Sequence, residues 1–355
     1  MGFHVFIDDS GSDGPVWDTN GNFRDTAQKT LCCAAVLVEE SAVTAMEGRW
    51  GVLLDMISTE LGVEARSVPV HMRLLYGQEL GQYNDVKRSR KNPFYEVPAR
   101  TRLEWMEIAW GIIDAFYDQD KAFVVANVTT KASQYDQQKL FIGSERHRNE
   151  VVHLKDLAFQ RGIVKEFNKF YGLVANSMTM MIAQLVIHLN NLMVEAGKGP
   201  ITVFCDDSPS SKGFDAGKAL EVVKDRKGLE QVSCIIPAST REQTLLQVAD
   251  FLTFCEKRIF EVRELGRVDP IISRWVTRHR MPYWRAGIKN LKDGDGAIVL
   301  ALHYELALRA FSDKHPAFAG EFLCPVNEFF DRAKRCIDLN HRGVSVLRDP
   351  PVPSW

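Results

Sequence analysis

Short runs of β-branched, aromatic and other apolar residues recur along the chain and predict five β-strands. They cover residues 4–8, 30–38, 121–129, 201–207 and 232–238. The first two runs have no helical pattern between them, so we expect them to pair antiparallel at an edge of the sheet. The later runs alternate with helical segments, and this alternation predicts a mostly parallel sheet with helices on both faces.

Apolar residues at helical spacing predict the helices. These cover residues 41–61, 101–118, 153–196, 214–228 and 243–264. Gly, Asp and Asn are frequent in residues 13–24 and predict a loop after the first strand. Residues 62–100 are expected to form an irregular insert. The pattern as a whole predicts an α/β fold, a mixed sheet flanked by helices.

The alternation of strands and helices ends near residue 264, which predicts two regions in the chain. Residues 1–264 are expected to form one α/β domain. Residues 265–355 show only helical and loop patterns and end in the proline-rich RDPPVPSW. We expect them to form a helical C-terminal extension that packs on the α/β domain.

Composition narrows the function classes. A net charge of −2 over 355 residues gives no overall attraction to nucleic acid or membrane, so any basic surface must be local. The seven cysteines form no CxxC pair, and their odd number argues against a closed disulfide framework. The longest apolar stretch is interrupted by polar residues such as Gln184 and His188, and the first residues lack signal-peptide features. These features predict a cytoplasmic protein without a membrane span.

Two of the predicted strands end in a pair of aspartates. The pairs are Asp8–Asp9 in FIDDSGS and Asp206–Asp207 in ITVFCDD. A further acid, Asp250, lies one helical turn after Gln247 in LLQVADFLTF. Ligands of parallel α/β sheets bind beyond the carboxyl ends of the strands, so the three acidic segments are expected to meet there.

Clustered carboxylates repel one another by about 4 kcal/mol per pair at contact distance near a protein surface. A proton or a cation must offset this repulsion, and Mg²⁺ or Mn²⁺ prefers carboxylate oxygens. The sequence contains no His and Cys cluster at zinc spacing. Each acidic stretch alone would also fit a simple turn. The three together favour a metal site for phosphodiester chemistry.

Four segments also carry a resemblance to a known family. FIDDSGS resembles the IDESG opening of the bacterial family called domain of unknown function 3800. VPVHMRLLYG, ITVFCDD and LLQVADFLTF, the last preceded by Ser239, resemble further segments of that family, over about residues 3–260. The resemblance implies an RNase H-like fold, shared by metal-dependent nucleases, integrases and phosphotransfer enzymes. It also implies that Asp8, Asp206 and Asp250 are metal ligands.

The chain departs from the family pattern at some of its acids. Asp9 stands where the family has a glutamate, and it is one methylene shorter. Strand alternation sends Asp206 and Asp207 to opposite faces, and Asp206 is favoured because it directly follows the apolar run. RNase H-like nucleases often use a fourth acid, for which Asp156 and Glu166 both remain candidates.

Other polar residues near these acids have two interpretations each. His71, in the β-like VPVHM, is either a proton shuttle or a hydrogen-bonded core residue. Gln247 either orients water or a phosphate oxygen, or serves as a packing contact. Ser10 and Ser12, on either side of Gly11, either bind phosphate or form a turn.

Two basic stretches are candidates for nucleic-acid contact. The first contains Lys87, Arg88, Arg90 and Lys91, and the second contains Arg274, Arg278, Arg280, Trp284 and Arg285. Cations neutralise phosphates and exposed aromatic rings stack on bases. The first stretch also fits a solvated surface, and the second also fits packing of the C-terminal extension.

The sequence supports three hypotheses of function. The first is an RNase H-like phosphodiesterase or nuclease that uses two Mg²⁺ or Mn²⁺ ions and acts on nucleic acid. The second is an ATP-dependent phosphotransferase of the sugar-kinase and actin type, since residues 9–12 approach its DxGxT loop; no glycine follows Asp206 before Gly213, which departs from that type. The third is a non-catalytic nucleic-acid- or protein-binding module of a bacterial defence or mobile-element system.

Overall fold

The computed structural model of the chain describes residues 2–11, 16–18, 20, 22–24, 29–64, 72–76, 92–133, 135, 145–168, 177–206, 229–269, 271–273 and 315–316. These residues form a five-stranded sheet with helices against both faces. The strands are β1 (Phe3–Ser10), β2 (Thr30–Glu39), β3 (Ala122–Thr130), β4 (Ile201–Asp206) and β5 (Val232–Ala238). Each overlaps a predicted strand, and the predicted fold class, a mixed sheet flanked by helices, is confirmed.

The strands lie in the order β3-β2-β1-β4-β5. β2 pairs antiparallel with both β1 and β3, and β4 pairs parallel with both β1 and β5. The expected antiparallel pairing of the first two strands is confirmed. Its expected position at an edge of the sheet is wrong, because β1 is the central strand. Its neighbouring residues Phe6 and Ile7 are both buried, one on each face, as a central strand requires.

Helices cover the two faces of the sheet in separate groups. The first face packs against α1 (Val43–Leu61), α2 (Met72–Tyr76), α3 (Ala99–Tyr117) and α6 (Thr244–Leu265); the second packs against α4 (Glu145–Gln160) and α5 (Ser177–Glu195). A 3₁₀ turn, Glu40–Ala42, leads into α1. Alternate residues of β1 join the two apolar cores, Phe6 on the first face and Val5 and Ile7 on the second.

The single long helix predicted over 153–196 is wrong, because the structure has two helices there, α4 and α5. Gly162 adopts a left-handed conformation, with φ of 71°, just after α4. The backbone N–H of Ile163 then donates to the carbonyl of Ala158 at 2.9 Å. This is the usual way for a glycine to end a helix, and it stops the helical hydrogen bonds at this point.

Several predicted segments lie outside the described residues. They are the helix over 214–228, most of the insert over 62–100, and nearly all of the extension over 265–355. The division of the chain into two regions therefore stays a prediction. No helix in the described part of the chain is long and apolar enough to cross a membrane.

A glycine directly after the central strand tests this architecture. Gly11 has φ of 103°, and a Cβ atom there would lie 2.2 Å from the carbonyl oxygen of Thr30 at the start of β2. We expect Gly11→Ala to lower the free energy of unfolding by about 2 kcal/mol or more. Chemical denaturation measures the change.

The matched control is Gly48→Ala, in α1, where a Cβ atom would meet nothing within 4 Å. There alanine should raise the free energy of unfolding by about 0.5–1 kcal/mol, because it restricts the unfolded chain. Equal stabilities of the Gly11 variant and the wild type would contradict the tight approach of β1 to β2.

Candidate active site

The carboxyl ends of β1 and β4 bring two of the predicted acids to one face of the sheet. Phe6 and Phe204 stack on the first face, with ring centroids 5.1 Å apart. Because side chains alternate along a strand, Asp8 and Asp206, two residues further on, lie on that same face. The parallel register pairs Ile7 with Cys205, which places the two aspartates side by side at neighbouring strand ends.

The helix α6 brings the third acid to this edge. Thr253 is 1% exposed, and its hydroxyl donates to the backbone carbonyl of Asp8 at 3.1 Å. Asp250 lies one turn earlier on the same face of α6. The backbone N–H of Met72, the first residue of α2, donates to Asp250 Oδ2 at 2.8 Å. The first hydrogen bond fixes α6 to β1. The second holds one oxygen of the Asp250 carboxylate.

The charges of these acids act on one another. Burial raises the pKa of Asp8 well above its ordinary value, and the charges of Asp250, Asp9 and Asp206 raise it further. Asp8 is 7% exposed, so water screens these charges poorly. Burial, followed by the charges of Asp206 and Asp250, raises the pKa of Asp9 to about 6. The four carboxylates therefore share one electrostatic environment.

Asp9 differs from the other three acids in its position. It pairs with Cys33 in β2, and alternation places it with Ile7 on the second face of the sheet, away from Asp8. Burial, with the charges of Asp206 and Asp9, raises the pKa of the Cys205 thiol to about 12. Asp9 thus adds negative charge from behind the first face, where Asp8 and Asp206 lie.

The acid cluster fits a divalent metal in its chemistry. Asp8, Asp206 and Asp250 offer hard carboxylate oxygens. The pKa of Asp8 is raised first by burial and then by the neighbouring carboxylates, and a cation would offset the repulsion from those carboxylates. In the part of the chain that the structure describes, no group of three His, Cys, Asp or Glu side chains is arranged to hold a metal ion. The carboxylates therefore share an edge without being gathered to coordination distance.

Gln247 has a structural contact in this arrangement. Its side-chain amide donates to the carbonyl of Thr240 at 3.2 Å, in the turn between β5 and α6. In that turn, the hydroxyl of Ser239 donates to the carboxylate of Glu242 at 2.9 Å, and the backbone N–H of Glu242 donates to the carbonyl of Ser239 at 3.0 Å. Gln247 and Ser239 thus shape the entry into α6, and Gln247 orients α6 one turn before Asp250.

The remaining predicted site residues lie away from the acid cluster or outside the described residues. Asp156 and Glu166, the candidates for a fourth acid, are exposed in a part of the chain that packs on the second face, so neither joins Asp8. The predicted residues outside the described ranges are His71, Asp207, Ser12, Lys87, Arg88, Arg90, Lys91, Arg274, Arg278, Arg280, Trp284 and Arg285. Their roles stay predictions.

The β-like context predicted around His71 is wrong for the residue that follows it. Met72 begins the short helix α2, and Met72, Leu75 and Tyr76 are buried against the first-face core. Spacing of three and four residues places them on one side of a helix, a pattern that the branched residues before it obscured. His71 immediately precedes the residue whose N–H binds Asp250.

Two residues at this edge of the sheet were not predicted from the sequence. Thr253 follows Asp250 by three residues, so its place on the same helix face could have been noticed. Lys131, just after β3, is 1% exposed. Nothing in the local pattern distinguishes this lysine from a surface one.

Comparisons with known proteins match the chain to one solved structure that is named below. No protein-family model and no curated protein matches the chain, so the resemblance to the family called domain of unknown function 3800 stays a prediction. Among solved structures, the complex of PCNA with RNase HII from Archaeoglobus fulgidus is 13% identical, with a TM-score of 0.27, over 81% of this chain and 95% of that chain. The observed mixed five-stranded sheet flanked by helices is the α/β fold class that the sequence pattern predicts.

The acid cluster predicts an unusual dependence of stability on pH. The pKa of Asp8 and Asp9 is raised in the folded protein, so folding favours their protonated forms. That stabilisation is fully present below the unfolded pKa of about 4 and is lost as the pH rises through the folded values, about 6 for Asp9 and higher than its ordinary value for Asp8. Without metal, the stability of Asp8→Asn relative to the wild type should therefore increase as the pH rises above about 4, the ordinary pKa of an aspartate.

Thermal and denaturant unfolding in the presence of a chelator measure this difference. Asp118→Asn, which removes an exposed acid at the end of α3 outside the cluster, is the matched control and should not reproduce this gain. A constant difference for Asp8→Asn would contradict the repulsion between the carboxylates.

Proposed function

We propose that the chain is a metal-dependent phosphodiester hydrolase, a nuclease that acts through Asp8, Asp206 and Asp250. One observation supports this proposal most. A carboxylate, Asp8, is buried in the central strand while the charges of Asp250, Asp9 and Asp206 act on it. Such an arrangement lowers stability at neutral pH, and perturbed acids of this kind concentrate at functional sites.

The residues of the chain would each have a defined part in this reaction. Asp8, Asp206 and Asp250 would hold Mg²⁺ or Mn²⁺. When bound, such ions activate a water and stabilise charge on the attacking and leaving oxygens of a phosphodiester. The N–H of Met72 occupies one oxygen of Asp250 and fixes the orientation of the carboxylate. The Thr253 hydroxyl holds the backbone of Asp8 and so fixes where the Asp8 side chain begins.

The other two hypotheses remain alternatives to this proposal. The phosphotransferase hypothesis used Gly11 as part of a phosphate loop, yet the contact with Thr30 already accounts for a glycine there. A binding module would need no metal. Metal binding separates the enzyme from the module, and ATP binding separates the phosphotransferase from the nuclease.

Calorimetric titration of Mn²⁺ into the wild type, Asp8→Asn and Asp250→Asn tests the proposal, together with cleavage of single- and double-stranded DNA and RNA. We expect the wild type to bind Mn²⁺ and cleave one of these substrates. Each variant should lose metal affinity and activity by about 100-fold or more, because a negatively charged carboxylate ligand is replaced by a neutral amide. Asp156→Asn, an exposed acid outside the cluster, is the control and should behave as the wild type.

Absence of Mn²⁺ binding by the wild type, even with oligonucleotide present, would exclude the two-metal mechanism and favour the binding module. Metal-dependent ATP binding without nucleic-acid cleavage would favour the phosphotransferase. Full activity of Asp250→Asn would remove the helix acid from the site.

The two basic stretches allow a charge-matched test of nucleic-acid contact. One variant replaces Arg274, Arg278, Arg280 and Arg285 by alanine, and the other replaces Lys87, Arg88, Arg90 and Lys91. We expect the first variant to lower the slope of log affinity against log salt by about 1 for each phosphate that the protein no longer neutralises. The second variant should have a smaller effect, because a run of cations without interleaved aromatic residues is more typical of a solvated surface than of a nucleic-acid contact.

Trp284→Ala should weaken binding to single strands without changing the salt slope, since stacking carries no charge. Fluorescence anisotropy with a labelled oligonucleotide measures both quantities. Wild-type slopes in both four-residue variants would exclude these stretches from the binding surface.

A further inference from the structure

The position of the Asp250 carboxylate depends on a very short helix. α2 has five residues, Met72–Tyr76, and the backbone N–H of its first residue donates to Asp250 Oδ2 at 2.8 Å. A helix of this length gains little stability from its own hydrogen bonds, because the first turn costs more conformational entropy than it returns. Contacts with the rest of the protein must therefore set where this N–H stands.

Packing beneath α2 does not fix the helix by itself. Met72 and Leu75 line a cavity of about 10 Å³, together with Trp50 of α1, Trp105 of α3 and Phe251 of α6. Side-chain atoms that border a void lack partner atoms on that side and lose the corresponding van der Waals attraction. The apolar contacts of α2 therefore hold the helix against the first-face core but leave room for a small shift.

Two hydrogen bonds at the carboxyl end of α2 restrain its position directly. The hydroxyl of Tyr76 donates to Asp269 Oδ2, and Arg102 Nη1 donates to the carbonyl of Leu75 at 3.0 Å. The Tyr76 and Arg102 side chains are both buried, so water competes weakly for these bonds. The end of α2 opposite Met72 is thus the end that the protein holds by polar contacts from two sides.

Asp269 is a fixed acceptor for the Tyr76 hydroxyl. It is buried and follows α6, which ends at Leu265. Its Oδ1 accepts a hydrogen bond from the backbone N–H of Ile272 at 3.1 Å, and its carbonyl accepts one from the hydroxyl of Ser273 at 2.7 Å. Because these bonds hold Asp269 in place, its Oδ2 can hold the Tyr76 hydroxyl in one position.

The ring of Tyr76 connects this acceptor to the helix that carries Asp250. It packs on Phe254, with the two ring centroids 5.0 Å apart. Phe254 lies one turn after Asp250 on the same face of α6. Tyr76 thus restrains α2 relative to α6 through its ring and its hydroxyl, and Met72, four residues earlier, carries the restraint to the Asp250 carboxylate.

We propose that Tyr76 is a positioning residue of the metal site. Through α2 it sets where the Met72 N–H stands, and this N–H sets the orientation that the Asp250 carboxylate presents to Mg²⁺ or Mn²⁺. The proposal rests on the proposed function, and it adds a residue that acts on a metal ligand through a helix. Groups that orient metal ligands contribute to metal affinity although they do not touch the ion.

Tyr76→Phe tests the proposal, because it removes the hydroxyl and keeps the ring on Phe254. Calorimetric titration of Mn²⁺ into the full chain gives the metal affinity. Hydrogen exchange of the Met72 amide, followed by NMR without metal, reports the bond to Asp250. We expect Tyr76→Phe to bind Mn²⁺ about tenfold more weakly and its Met72 amide to exchange about tenfold faster. Tyr95→Phe, which removes an exposed hydroxyl, is the matched control and should leave both quantities unchanged.

Two further variants separate positioning from a general loss of stability. Ile113→Val shortens a fully buried side chain of α3 and lowers stability, yet it should bind Mn²⁺ as the wild type does. Asp269→Asn weakens the Tyr76 hydrogen bond from its other side and should lower the affinity for Mn²⁺ by about threefold, because a neutral amide is a weaker acceptor than a carboxylate. Asp269→Asn decides the matter if Tyr76→Phe fails to fold.

Wild-type affinity for Mn²⁺ in Tyr76→Phe would overturn the proposal, and so would a weaker affinity with unchanged exchange of the Met72 amide. The outcomes also separate this proposal from the proposed function. If the wild type and Tyr76→Phe bind Mn²⁺ and cleave nucleic acid equally well, the nuclease stands and the positioning role is wrong. If the wild type binds no Mn²⁺, the proposed function fails and the positioning role fails with it.

Discussion

The burial of one carboxylate in the central strand determines how the rest of the molecule is arranged. Asp8 stands in a strand whose two faces are both covered by helices, and three further acids act on its charge. Burial of the Asp8 carboxylate costs free energy, because desolvation disfavours its charged form. The surrounding sheet and α6 supply the apolar packing that keeps the cluster in place, so the energy of the fold offsets the energy cost of the site.

The short helix α2 shares in this arrangement at both of its ends. At its first residue, the N–H of Met72 binds the carboxylate of Asp250. At its last residue, the hydroxyl of Tyr76 donates to the buried carboxylate of Asp269, beyond the end of α6. Burial and this hydrogen bond raise the pKa of Tyr76, so its hydroxyl keeps its proton. Helix α2 is therefore held by a hydrogen bond at each end, and the bond at its first residue is to Asp250, an acid of the candidate site.

The sequence predicted those parts of the structure that depend on local pattern. Branched and aromatic runs predicted the strands, and the acids at strand ends predicted which residues meet, because carboxyl ends of parallel strands share an edge. Prediction from the sequence failed for the features that depend on contacts between distant parts of the chain. The central position of β1 depends on pairing with β4 about two hundred residues away. The end of α4 at Gly162 had a local signal, a glycine, that the apolar periodicity on either side concealed.

The hydrogen bond between Thr253 and the carbonyl of Asp8 joins residues separated by 245 positions. During synthesis the chain emerges from its amino end, so β1, β2 and β3 can pair long before β4 and α6 exist. Until then the future centre of the sheet is an open edge, with unpaired backbone groups that invite pairing with other chains. A nascent or truncated chain that stops before Asp250 would carry the first acids without the helix that completes the cluster. Such a product would be exposed to aggregation at β1, and the cluster would be complete only once α6 has been synthesised.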